Sequence, residues 1–121
     1  MALRSTVFKI DLQLADIDHG HYHDHALTIA RHPSENDERM MVRVLAYALH
    51  AHEMADHGDE SLAFGEGIAD PEQADLWLRD RTGQVVHWID VGQPDERLLR
   101  KASHQSGRVS LYSFGRTTDV W

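Results

Sequence analysis

No cysteine occurs among the 121 residues, which excludes a disulfide framework and any thiolate-based metal centre. No apolar run approaches the length of a membrane span. Residues 1–5 lead straight into a strand pattern, without an apolar leader or a small-residue cleavage site, so a cytoplasmic location is expected. Positive charge is in deficit: 12 Lys and Arg stand against 20 Asp and Glu, a net charge of −8. Such a balance argues against a broad nucleic-acid-binding surface, because affinity for polyanions comes mainly from neutralising phosphates. The deficit is uneven. Residues 97–121 carry Arg97, Arg100, Lys101, Arg108 and Arg116 against Asp119 alone, and the acidity lies mostly upstream, including residues 56–72. Also missing are a glycine-rich phosphate loop, a nucleophile elbow, an internal repeat and a low-complexity tract. Ser61, Ser103 and Ser106 stand in contexts with no base in evident reach.

What remains is an ordinary globular composition, 41% apolar and 26% charged, in a chain long enough for one domain spanning residues 1–121. Residues 8–14 alternate Phe8, Ile10, Leu12 and Leu14 against polar neighbours and predict a strand with one buried face. A turn over residues 16–20 leads to a second extended stretch, 23–31, that can return antiparallel to the first. Pro33 keeps His32 extended and Ser34 is expected to open a helix, with Glu35, Asp37 and Glu38 at the positive end of its dipole. Met41, Val42, Leu45, Ala48, Leu49 and His52 recur at helical spacing and predict its buried stripe. Residues 57–72, rich in Gly, Asp and Glu, read as a surface loop. Beyond the next segment, Gln93 would cap a helix beginning at Pro94, Gly107 would end it, and Val109 and Leu111 begin another strand. Strands and helices in this order predict an α/β (α+β) fold with a mixed central sheet flanked by helices.

Residues 74–91 carry the chemistry. They read as a hairpin turning at Thr82-Gly83, in which Trp77 faces Trp88 on one side while Leu76, Leu78, Ile89 and Val91 face the other. That register sets Asp75 opposite Asp90. Two carboxylates across a ribbon repel, so a fold that keeps them needs something positive between them, and a divalent metal is the first candidate.

The run His32-Pro33-Ser34-Glu35-Asn36-Asp37-Glu38-Arg39-Met40-Met41-Val42-Arg43, residues 71–77, and Trp88-Ile89-Asp90-Val91-Gly92-Gln93-Pro94-Asp95-Glu96 resemble the bacterial YaeQ family, nearly end to end. The resemblance implies the PD-(D/E)XK nuclease-like fold, in which a helix Glu and two strand acids gather Mg²⁺ (or Mn²⁺) beside a lysine. On these positions Asp75 and Asp90 would be the strand acids and Glu38 the helix carboxylate, with Glu35 in reserve. The position two beyond the second acid is Gly92, followed by Gln93, where the family pattern expects lysine. Lys101 is then the natural cation and Gln93 an assisting amide, with Arg97, Arg100 and Lys101 available to contact nucleic acid. The implied activity is metal-dependent hydrolysis of nucleic-acid phosphodiesters. Loss of the lysine keeps two alternatives open: a non-catalytic nucleic-acid or transcription-associated binding module on the same fold, and a small interaction domain whose acids are structural. Family members usually continue past the point matching Val120-Trp121. The resemblance therefore implies missing last strands and an open sheet edge at which a second copy could pair, with oligomeric state undetermined.

Plainer roles compete at every position. Glu35 and Glu38 can serve the helix dipole, Gln93 can be a simple cap, Arg100 and Lys101 can be solvated, and Trp77 and Trp88 can be a packed pair. His19, His21, His23 and His25 alternate, followed by His50 and His52, a pattern that suits Zn²⁺ or Ni²⁺ if the row is continuous. Asp18 and Gly20 interrupt it, which favours solvated turn histidines.

Overall fold

In the computed structural model, residues 6–58, 61–65, 73–92 and 96–113 are described, with the backbone alone for Asp56 and residues 96–99. Alternation builds the first layer. Strands β1 (Thr6–Asp16) and β2 (His21–Arg31) pair antiparallel from Thr6↔Arg31 to Asp16↔His21, around a turn whose Gly20 has a φ of 65°. Phe8, Ile10, Leu12 and Leu14 join Leu27 and Ile29 on the inner face.

Helix α1 (Asp37–His50) packs beneath this ribbon. Its cap is Asn36, whose side-chain oxygen accepts the Arg39 N–H at 2.8 Å, and not Ser34, which is bonded to the His32 imidazole at 2.6 Å. A backbone bond from the Glu35 N–H to the His32 carbonyl at 2.8 Å makes a separate turn that delays the helix. The buried face is Met40, Arg43, Val44, Tyr47 and then Ala51, whereas Met41, Leu45 and Leu49 from the expected stripe are 48%, 58% and 56% exposed. Two apolar stripes compete on this helix. Arg43 decides between them, because its guanidinium is drawn inward to Glu35 and to the Ala30 carbonyl, at 2.8 Å from the latter.

A 3₁₀ helix (Ala51–Asp56) continues α1 and leads to β3 (Leu62–Phe64). This strand lies inside the stretch expected to be loop; three residues are too few to show alternation. Strands β4 (Leu76–Arg79) and β5 (Val85–Val91) form the expected hairpin with Trp77↔Trp88 in register, and helix α2 (Glu96–Gln105) leads to β6 (Arg108–Tyr112). The pairing skips Val86, a bulge next to the turn, and the Asp80 carboxylate accepts the Thr82 and Gln84 N–H groups at 2.9 and 3.0 Å. Sheet order is β3-β4-β5-β6, antiparallel except for β6, which runs parallel to β5. A parallel pair needs a crossover, and α2 supplies it.

The architecture is therefore α+β with two sheets among the described residues, a two-stranded ribbon and a four-stranded mixed sheet, instead of one mixed sheet. Helix α1 and the ribbon cover the face carrying Leu76, Leu78 and Ile89; α2 covers the other, where Ala102 meets Trp88, Trp77 and Val109. Among the described residues no helix is long and apolar enough to cross a membrane.

The cap assignment has a direct test in urea unfolding. Asn36→Ala is expected to cost about 1 kcal/mol, whereas Ser34→Ala stays within about 0.5 kcal/mol of the parent.

Candidate functional site

The hairpin register delivers Asp75 and Asp90 to the same end of β4 and β5. The Asp75 N–H donates to Asp90 Oδ1 at 3.3 Å, and the Val91 N–H donates to Asp75 Oδ2 at 2.8 Å. Trp88 Nε1 donates to Asp90 Oδ2 at 2.9 Å, so the indole beside the acid also orients it. Gly65 closes in from β3: its N–H bonds to the Asp75 carbonyl at 3.1 Å, and a Cβ there would overlap the Ala74 carbonyl oxygen. Only glycine allows that approach.

The positive charge against Asp75 is an arginine, shared with Glu35. Arg39 Nη2 donates to Asp75 Oδ1 at 2.7 Å and to the Val91 carbonyl at 3.3 Å, while Nη1 donates to Glu35 Oε2 at 2.6 Å. Arg43 clamps the other side of Glu35, with Nε to Oε2 at 2.9 Å and Nη2 to Oε1 at 2.5 Å. Glu35, Asp75 and Asp90 are all buried. Burial works against the charge on Arg39, but Asp75 and then Glu35 hold its pKa above the ordinary guanidinium value. Three carboxylates face two guanidiniums. Among the described residues the uncompensated charge falls on Asp90, whose carboxyl is pushed above the usual range by burial and by the Asp75 charge, against the opposing Trp88 hydrogen bond.

Of the residues anticipated from sequence, Glu35, Asp75 and Asp90 come together. Glu38 lies on the exposed side of α1, and Arg100 and Lys101 are exposed on α2. Gln93 and the Arg97 side chain lie outside the described residues. Arg39 was not anticipated. The available signal was spacing: Arg39 and Arg43 stand four apart on one face of α1, and Glu35 lies four residues ahead of Arg39, just before the helix.

Magnesium takes hard oxygen ligands and keeps several waters. Asp75 and Asp90 fit that demand, since each oxygen accepts one protein donor and retains a second lone pair, and the pair carries the unbalanced charge. Glu35 fits less well, with both oxygens held by guanidiniums. Among the described residues, two other groups bring three ligand atoms within 4.8 Å of one another: Asp16 with His19 and His52, and His50 with Glu53 and His87. The histidines of β2 are not merely solvated turn residues. His21 and His25 are half-buried with their Nε2 atoms 3.0 Å apart, and burial, then the neighbouring His23 and His25, lower the His21 pKa.

The whole sequence, residues 1–121, matches the family described as "YaeQ protein". The chain belongs to the YaeQ family. It is 39% identical over 122 residues to "Uncharacterized protein YaeQ" of Salmonella typhi and 38% identical to that of Escherichia coli (strain K12). Both alignments cover 100% of this chain and 64% of the relative, so the chain spans less than two thirds of their length. The YaeQ crystal structure from Xanthomonas axonopodis pv. citri matches with a TM-score of 0.82 at 46% identity, over 97% of this chain and 63% of that one. The YaeQ protein from Pseudomonas syringae gives 0.85 at 44%, over 97% and 61%. The two-sheet arrangement around α1 is thus a YaeQ arrangement.

Removing one partner of a buried ion cluster leaves an uncompensated charge. Arg39→Met is therefore expected to cost about 3–5 kcal/mol in chemical denaturation, while Glu38→Gln stays within about 0.5 kcal/mol. Asp90 adds a pH signature. Its folded pKa is raised, so its contribution opposes folding increasingly as pH climbs from the ordinary carboxylate pKa through the raised one. Carboxyl-carbon NMR titration should place its midpoint above 3.8.

Proposed function

We propose that this YaeQ-family chain is a metal-assisted phosphodiesterase of PD-(D/E)XK nuclease-like architecture acting on nucleic acid, with Asp75 and Asp90 holding the metal and Arg39 as the resident cation. The observation that carries this reading is the buried acid pair in hairpin register with a guanidinium against it. In the proposed site Arg39 takes the place assigned to Lys101. It comes from the helix, so no lysine is needed at the position of Gly92.

Each residue has a distinct task. Val91 and Trp88 aim the two carboxylates through N–H donors, and Glu35, gripped by Arg43, sets the angle of Arg39. A guanidinium held this way is preorganised to stabilise negative charge developing on a phosphoryl group, without reorganising as the reaction proceeds. Bound magnesium or manganese would supply Lewis acidity and a water of lowered pKa. Exposed Arg100 and Lys101 are the proposed contacts for the flanking phosphates, together with Arg97.

A second reading, the non-catalytic binding module, is favoured by one observation: all four oxygens of Asp75 and Asp90 already accept a protein donor, and Arg39 already balances Asp75. On that reading the acids hold the hairpin to α1.

Calorimetric titration with Mg²⁺ and Mn²⁺ separates the two. Metal binding is expected in the parent and lost in Asp75→Ala and Asp90→Ala, with metal-dependent cleavage of DNA or RNA that Arg39→Lys slows without changing metal affinity. Equal metal binding by parent and alanine variants would end the hydrolase reading, and salt-dependent nucleic-acid binding without cleavage would establish the module.

A further inference from the structure

On the opposite face of β5 from Asp90 lies a second polar cluster. His50 closes α1, Glu53 follows it one turn later in the 3₁₀ helix, and His87 stands on β5 with a side chain only 2% exposed. His87 Nδ1 lies 3.0 Å from Glu53 Oε1, and His50 Nδ1 bonds to Glu53 Oε2. A carboxylate only accepts, so both Nδ1 atoms carry the bridging protons. The far nitrogens are also held: His87 Nε2 lies 2.7 Å from the Ser110 hydroxyl and His50 Nε2 lies 2.5 Å from the Tyr112 hydroxyl. Arg108 reaches Glu53 from outside, with a side chain 64% exposed.

We propose that His50, Glu53 and His87 form a binding site for a divalent transition-metal ion of the zinc class, with Ser110 and Tyr112 as its outer hydrogen-bond partners. The donor set is two imidazoles and one carboxylate, which leaves a fourth tetrahedral position for water. Bonds of about 2.0–2.2 Å to such an ion put neighbouring ligand atoms roughly 3.3 Å apart. The three ligand atoms here already lie within 4.8 Å of one another, and the ion takes the place of the Nδ1 protons.

The outer partners make that exchange cost little. A hydroxyl both donates and accepts. With the proton on Nδ1, Ser110 and Tyr112 donate to the Nε2 atoms; with metal on Nδ1, they accept from Nε2–H. No buried polar atom loses its partner in either state, and ligating histidines commonly keep such a partner on the other ring nitrogen. Glu53 is ready as an anion: burial would raise its pKa, but hydrogen bonds from His50 and His87 hold it far below the usual carboxylate range. Arg108, mostly in solvent, is the cation the ion displaces. This cluster is not the acid site described above, because it presents nitrogen donors on the α1 face of the sheet, whereas Asp90 bonds Trp88 on the α2 face.

The test must exclude His19 of the β1–β2 turn and the histidines of β2, so a variant carrying His19→Asn, His21→Asn, His23→Asn and His25→Asn is titrated beside the parent chain. Zn²⁺ is followed by calorimetry and Co²⁺ by visible absorption, which reports tetrahedral nitrogen and oxygen ligation. The expected result is one equivalent bound by the parent and by the four-histidine variant, with intense Co²⁺ bands. His50→Asn and Glu53→Gln should abolish the bands and weaken binding at least about 10-fold, and Ser110→Ala and Tyr112→Phe should weaken it by about 10–100-fold. Should Glu53→Gln fail to fold, His50→Asn decides. No binding by the parent, unchanged affinity in His50→Asn, or loss confined to the four-histidine variant would each overturn the proposal.

Discussion

One guanidinium ties the molecule together at its most constrained point. Arg39 spans from Glu35, just before α1, to Asp75 and the Val91 carbonyl at the end of the β4–β5 hairpin, and Arg43 locks Glu35 to the Ala30 carbonyl of β2. The ribbon, the helix and the four-stranded sheet thus meet in one ion network. Burying such a network carries a desolvation penalty that an apolar contact avoids, so it specifies geometry more than it adds stability. Here it fixes which face of α1 is buried, and it leaves Met41, Leu45 and Leu49 facing outward.

That rotation explains where the sequence could and could not be read. Period-two alternation in β1 and the Thr82-Gly83 turn between β4 and β5 make these strands, their pairing and the Asp75–Asp90 register legible, because turn position and side-chain alternation together fix a hairpin's register. The stripe on α1 differs from the apolar periodicity because that periodicity gives no weight to a buried arginine, and Arg43 lies inside. Glu38 prolongs that exposed stripe, whereas Glu35 lies buried against Arg39 and Arg43. Strand β3 escaped notice because its partner on β4, not its own three residues, defines it.

The site was legible in its acids and not in its cation. Opposed carboxylates imply a positive charge nearby, and that inference holds; chemistry alone does not say whether the charge is a metal ion or a side chain. Looking downstream to Lys101 follows from Gly92 standing where the family spacing expects lysine. The interaction that forms runs upstream, across 36 residues, and only the packing of α1 against the hairpin end brings it about. The cluster of His50, Glu53 and His87 was illegible for a related reason: its third member arrives from a strand whose neighbouring residues are apolar.

Strand β5 acts as a spacer between two charged environments. His87 and Asp90 are three positions apart on opposite faces, separated along the strand by about 10 Å. That is comparable to the Debye length at ordinary salt, but the intervening medium is packed side chains, so the field is screened less than it would be through solvent. Any gain of positive charge around His87 would ease ionisation of Asp90 through the sheet, giving the two faces a shared electrostatic register without a moving part.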